Sequence, residues 1–170
     1  RFLAVRFKNG EVVLWDLEAE RQVSLPNFEG KVSSIALSPS GDRIAIGTES
    51  GHANTHIIDT DELKQIEKLE YDWPISSLRF SGDGKLLAIG SDTLRIWDSE
   101  SRKYRGEPID HPSLIYGIQF DHSSDRIITS CQDGFARVFQ FTEEGINGPV
   151  IPPVKHEVTT KILRSRKVDA

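Results

Sequence analysis

Three residues of the sequence have the composition of a nucleophilic triad: His111, Thr129 and Asp133. A hydroxyl, an imidazole and a carboxylate can together activate an oxygen nucleophile, the imidazole taking the proton while the carboxylate orients the ring. Such a set is recognised by geometry and roles, so composition alone assigns it no reaction. His52 and His56 are four residues apart. On a helix that spacing would bring both imidazoles to one metal ion, but four residues of strand span about 13 Å, too far to share one unless Gly51-His-Ala-Asn54, which reads as an insertion in a turn, brings them closer. Gly82-Asp-Gly84 stands between apolar runs and opens no helix, so it reads as a hairpin turn and not as a phosphate cradle. The basic cluster Lys161, Arg164, Arg166 and Lys167 would suit a phosphate backbone or an acidic partner. It falls where a strand pattern is failing, and reads instead as a strand and a solvated turn. These residues lead us to expect no catalytic residue, no metal site and no cofactor.

The elements that must position any site are bounded by composition. A chain of 170 residues, 37% hydrophobic and 28% charged, is of the size and make-up of one globular domain. No apolar run reaches the roughly 20 residues of a membrane helix, and the N-terminus has no signal-peptide pattern. The single cysteine, Cys131, excludes an internal disulfide and suits a reducing, cytoplasmic setting. A net charge of -5 argues against a nucleic-acid binder, which usually presents a basic face. The expected partner is neither nucleic acid nor membrane.

A repeat dominates the chain. Val32-Ser-Ser-Ile-Ala-Leu-Ser38, Ile75-Ser-Ser-Leu-Arg-Phe-Ser81, Ile115-Tyr-Gly-Ile-Gln-Phe-Asp121 and, more loosely, Val158-Thr-Thr-Lys-Ile-Leu-Arg164 start 43, 40 and 43 residues apart. Over their C-terminal halves the first three alternate apolar with small or polar residues, a strand signature of period two. A turn rich in Gly, Ser or Asp follows, then a second apolar strand, a tight turn, and a third strand ending in Leu14-Trp-Asp16, Ile57-Ile-Asp59, Ile96-Trp-Asp98 or Val138-Phe-Gln140. Short strands with turn signals every 8–12 residues and no helical period make the chain all-β.

A period near 40, four strands per unit and two Trp-Asp endings, Trp15-Asp16 and Trp97-Asp98, resemble the WD-repeat β-propeller family. The family's Gly-His dipeptide is degenerate here: Gly30-Lys31, Trp73-Pro74, Asp110-His111 and Lys155-His156 stand in its place. The resemblance implies an all-β propeller of four-stranded antiparallel blades, about four blades' worth. Its segments would be a partial blade over 1–31, blades over 32–74, 75–114 and 115–157, and a lone inner strand over 158–164. It also implies a bracing network of the Trp ring N–H, a Ser or Thr, a turn Asp and the dipeptide His. His111, Thr129 and Asp133 match three of its positions, while Trp15 and Trp97 match the ring position in their own units. Phe139 replaces the ring there and has no N–H, so the network should stop short. On this reading the triad composition is structural.

In such a blade the inner-strand positions line a central channel. Here they read Ser33-Ser34, Ser76-Ser77, Tyr116-Gly117 and Thr159-Thr160, without the carboxylates acid–base work needs. Function then belongs to loops held on a rigid frame. One face gathers the turns between second and third strands with the connections entering each inner strand, and supplies partner-binding candidates Trp73, Tyr71, Tyr116, His111, Asp92 and Gln132. Trp73 lies in a polar connection and Tyr116 where other units have Ser or Thr; aromatics of this kind are enriched in interface hot spots, the alternative being that Trp73 folds down over a neighbouring strand and Tyr116 fills a wider channel. The opposite face, with Glu18-Ala-Glu-Arg21 and Asp61-Glu-Leu-Lys64, has the mixed charge of a solvated surface.

The first unit has no inner strand before it and the last has nothing else, so one blade is divided between the termini. Either the chain is a portion of a larger ring, which Arg1 at the start and the absence of Met favour, or two chains form a homodimeric eight-blade ring, each completing the other's broken blade. The expected function is a non-catalytic protein–protein interaction scaffold. Alternatives are a small-molecule-binding or hydrolytic propeller using its channel, or a structural subunit of a large assembly.

Overall fold

The computed structural model describes residues 2–49, 53–142 and 145–155. His52, the 158–164 segment with Thr159-Thr160, and the Lys161–Lys167 cluster lie outside them. The described residues form seventeen strands and no helix, arranged as four antiparallel sheets. Sheet 1 holds β1 (Phe2–Arg6), β2 (Val12–Asp16) and β3 (Arg21–Val23) in that order. Sheet 2 holds β4 (Val32–Leu37), β5 (Arg43–Thr48), β6 (Ala53–Asp59) and β7 (Lys64–Tyr71). Sheet 3 runs from β8 (Ser77–Phe80) through β9 (Leu86–Gly90) to β10 (Thr93–Asp98), whose outer edge carries β11 (Lys103–Tyr104) and β12 (Ile109–Asp110). Sheet 4 repeats this with β13 (Ile115–Phe120), β14 (Arg126–Cys131), β15 (Phe135–Thr142), β16 (Gly145–Pro149) and β17 (Val154–Lys155). The fourth strand of both later sheets is thus in two pieces. Pro108 separates the first pair and Pro152-Pro153 the second, and proline cannot donate to the ladder.

The sheets pack face to face as consecutive blades of a partial propeller, with three apolar clusters between them. Leu14, Val32, Ile44, Ile46 and Ile58 fill the first seam. Ala45, Ile57, Leu78, Leu87, Ile89 and Trp97 fill the second. Ala88, Ile96, Ile118, Phe120, Ile127 and Phe139 fill the third. Successive side chains of a strand point to opposite faces, so Ile44 and Ile46 serve one seam and Ala45 the next. That double burial is why β5 and β9 read as unbroken apolar runs, whereas β14, covered on one side only, alternates. Ile58, Trp97 and Phe139 each pack onto the preceding sheet, at 0%, 6% and 1% exposure. Trp15 holds the same register position but is 40% exposed, since no described sheet covers that face.

The recurrent Asp ending the third strand is a turn cap. Oδ1 of Asp16 accepts N–H bonds from Glu18 and Ala19, that of Asp59 from Asp61 and Glu62, and that of Asp98 from Glu100 and Ser101. Each turn then passes through a positive φ of 51–55° at Glu20, Leu63 or Arg102. A short carboxylate bonding its own backbone a few residues on is well suited to such turns.

Three of the inner-strand serines, Ser33, Ser34 and Ser76, join blades. Ser33 Oγ is in hydrogen-bond contact with the carbonyls of Gly47 and Ile75, and Ser76 Oγ with those of Gly90 at 3.0 Å and Ile115 at 2.6 Å. Ser34 Oγ accepts the Leu78 N–H at 3.0 Å. Alternation identifies a strand's two faces, but the neighbour each one meets is set by how tightly the next blade closes. Closure is tight because the facing residue is glycine: a Cβ on Gly47 would stand 2.5 Å from Ile75 Cγ2, and one on Gly90 2.9 Å from Ile118 Cδ1. The pairs are Ser34 opposite Gly47 and Ser77 opposite Gly90, but in sheet 4 Gly117 is opposite Ser130.

Candidate interaction face

His111 begins the connection from β12 to β13, and its N–H donates to Asp92 O at 2.8 Å. Its ring is buried, 5.6 Å from the Phe139 ring centroid. Nδ1 lies 3.2 Å from Ile109 O, and since a carbonyl only accepts, Nδ1 carries the proton. Nε2 then accepts the Thr129 hydroxyl at 2.9 Å. Asp133 is not a third member. Its carboxylate takes Arg137 Nη2 at 2.5 Å and caps the Phe135 N–H at 3.0 Å. The Arg137 bond, outweighing desolvation, holds its pKa down at about 2. With a carbonyl and not a carboxylate on Nδ1, the imidazole has no orienting base, so the triad composition is not a triad in space. Trp97 is likewise apart from His111, stacked edge-on against Tyr104 at 5.1 Å.

Burial depresses the His111 pKa. The folded state therefore favours the neutral ring, and the unfolded state binds the proton first. The contribution is whole above the unfolded value near 6.5 and is lost as pH falls through it. We expect the wild-type melting temperature to fall more steeply between pH 7 and 5.5 than that of His111→Gln, although the variant is less stable at pH 7. Parallel slopes in thermal melts across this window would show that the ring does not titrate with folding.

The partner candidates separate into two groups. Trp73 is 60% and Tyr116 61% exposed. Gln132 is exposed and accepts the Ser113 hydroxyl through Oε1, and half-buried Asp92 accepts that of Ser91. Two candidates are corrected. His111 is 7% exposed and bonded within the core, so its ring cannot meet a partner. Tyr71 belongs to β7, opposite Ala53, and not to a free connection. Its hydroxyl meets that of Tyr104 at 2.7 Å, and the Arg95 guanidinium lies over both rings at 5.8 and 5.3 Å. Desolvation in this place raises the Tyr71 pKa. The Tyr71–Arg95–Tyr104 clip joins sheets 2 and 3 and was not expected from the sequence; an arginine between Leu94 and Ile96 in a strand was its only signal.

The described residues also border a cavity of about 750 Å³ at the far ends of the inner strands, lined by Leu3, Ile35, Phe80, Arg79, Asp121 and His122 among others. Asp121 is occupied there as a turn cap, accepting the Arg126 N–H and the Ser123 hydroxyl, both at 3.1 Å.

Two family models match the chain: the anaphase-promoting complex subunit 4 WD40 domain over residues 35–107, and the WD domain, G-beta repeat, over residues 103–140. The chain is similar to WD repeat-containing protein 36 of Homo sapiens, 29% identical over 140 residues, which are 79% of this chain and 15% of that protein. It is similar to the periodic tryptophan protein 2 homolog of Schizosaccharomyces pombe, 35% identical over 106 residues, 60% of this chain and 12% of that one. A third relative is echinoderm microtubule-associated protein-like 1 of Homo sapiens, 29% identical over 126 residues, 71% of this chain and 15% of that one. The chain thus spans 12–15% of the length of these relatives.

Proposed function

Because the chain belongs to the WD-repeat family, we propose that it is a non-catalytic protein–protein interaction scaffold whose contact surface is the loop face carrying Trp73 and Tyr116. The observation that carries this reading is the exposure of these two aromatic side chains, 60% and 61%, on a frame whose strands are pinned sheet to sheet. A rigid, partly apolar side chain held in water loses little entropy when a partner covers it, which makes it a natural anchor. The names of a matched model and of one relative attach those proteins to the anaphase-promoting complex and to microtubules, which supports a role inside a larger assembly. The small share of each relative that is matched supports a portion of a larger ring over a ring of two chains.

Trp73→Ala tests the reading. Since most of the side chain is already in water, the thermal midpoint should shift by no more than about 2 °C, while capture of a partner falls at least about tenfold. A large drop in the midpoint would place Trp73 in the core and remove it from the interface.

A further inference from the structure

We propose that the partner bound on this face is a basic segment, held through Arg or Lys side chains. This rests on the interaction-face reading above and adds its chemistry. The exposed aromatics stand on one hydrogen-bonded knot. Ser76 donates its N–H to Gly90 O and its hydroxyl to Ile115 O, and Ile115 N–H donates to Ser91 O at 2.8 Å. Trp73 is three residues before Ser76, Tyr116 follows Ile115, and Asp92 follows Ser91. Asp110 faces Thr93 across the β10–β12 pair, and Asp72 precedes Trp73.

The charges of this rim are unbalanced. Among the described residues of the rim, Glu49 is matched by Lys31 at 2.8 Å and Asp133 by Arg137 at 2.5 Å. Asp72, Asp92 and Asp110 have no ion pair among the described residues; Lys155 lies out on the edge of sheet 4, opposite Phe135. Carboxylates and exposed aromatic rings gathered on the same rim match a guanidinium or ammonium twice over, through charge and through the ring quadrupole. Arginine fits best, since its flat group can lie on a ring while its edge bonds a carboxylate.

The test is titration of the 170-residue chain, at physiological and at raised salt, with a short Arg-Gly repeat peptide and its Glu-Gly counterpart. The Arg-Gly peptide should bind, more weakly at high salt. Trp73→Ala, and separately the double variant Asp92→Asn/Asp110→Asn, should each weaken it about tenfold. Glu20→Gln/Glu62→Gln on the opposite rim should leave affinity within about twofold, which separates a site from general attraction to an acidic chain. Equal losses on both rims, or equal binding of the two peptides, would overturn the proposal. Trp73-dependent binding of the Glu-Gly peptide alone would overturn the basic chemistry but keep the face. If Trp73→Ala alters binding of neither peptide, both readings fall.

Discussion

Gly47→Ala is expected to destabilise the chain by about 3 kcal/mol, lowering the thermal midpoint by about 10 °C. The added methyl would stand 2.5 Å from Ile75 Cγ2 and 2.8 Å from Ile75 Cβ. A Cβ cannot swing away as the end of a long side chain can. Nor can its backbone retreat: Ile75 is fully buried, its N–H donates to Thr48 O at 3.2 Å, and its carbonyl contacts the Ser33 hydroxyl. The second seam must open, and overpacking of a closed core costs about 1–3 kcal/mol, at the upper end where backbone is involved. Gly90→Ala should cost less, because its nearest contact is the flexible Cδ1 of Ile118. Gly148→Ala, with nothing within 4 Å, should be nearly silent. Thermal melts of the three variants decide the matter; a silent Gly47→Ala would mean that the seam is looser than described.

The second large effect is at Asp98. Its side chain is 6% exposed, Oδ1 caps the turn through Glu100 and Ser101, and Oδ2 takes Arg105 Nε at 2.8 Å and Nη2 at 2.5 Å. Asp98→Ala removes both the cap and the pair and leaves a third-exposed guanidinium beside an apolar wall. We expect a loss of about 3 kcal/mol, discounted from a fully buried pair because Arg105 reaches water. Asp98→Asn keeps an oxygen for the cap and should cost about half as much. Asp16→Ala, in the same turn of sheet 1 but at a half-buried carboxylate whose turn bonds are to Glu18 and Ala19, should cost clearly less than either. Desolvation pushes the Asp98 carboxyl up, but the Ser101 N–H, Arg105 and the Glu100 N–H pull it lower, for a net fall from 3.8. The stabilisation is therefore present above that value and lost as pH drops through the acid range. Equal costs for Asp98→Ala and Asp16→Ala in denaturant unfolding would show that the Arg105 pair adds nothing.

The repeat was legible because its signals are local. Turn residues and the period-two pattern recur with each unit, and Ile58, Trp97 and Phe139 could be aligned before any contact was known. What stayed hidden depends on distances between units. Ser33 and Ser76 were readable as inward-facing but not as links to the next blade, because that link needs Gly47 and Gly90 to bring the strands close. Tyr71 looked like part of a loop beside Trp73 because a tyrosine among charged residues carries no edge; its partner Tyr104 is 33 residues away. Asp133 was grouped with His111 by position, yet Arg137, four residues on, is nearer in charge and reach. For the proposed interaction face, Trp73 and Tyr116 stood out as aromatics out of pattern, and both side chains are exposed.

The Gly117–Ser130 pair reverses the small-residue order of the two preceding sheets, and this bears on how such an array could grow. A copy of the unit that begins at Ile75 carries Gly90, and could be spliced after itself with its receiving surface intact. A copy of the unit that begins at Ile115 carries Ser130, and would offer the incoming strand a hydroxymethyl group where it needs a gap. Gene duplication would therefore accept the third unit as a module and reject the fourth until Ser130 and Gly117 had exchanged identities.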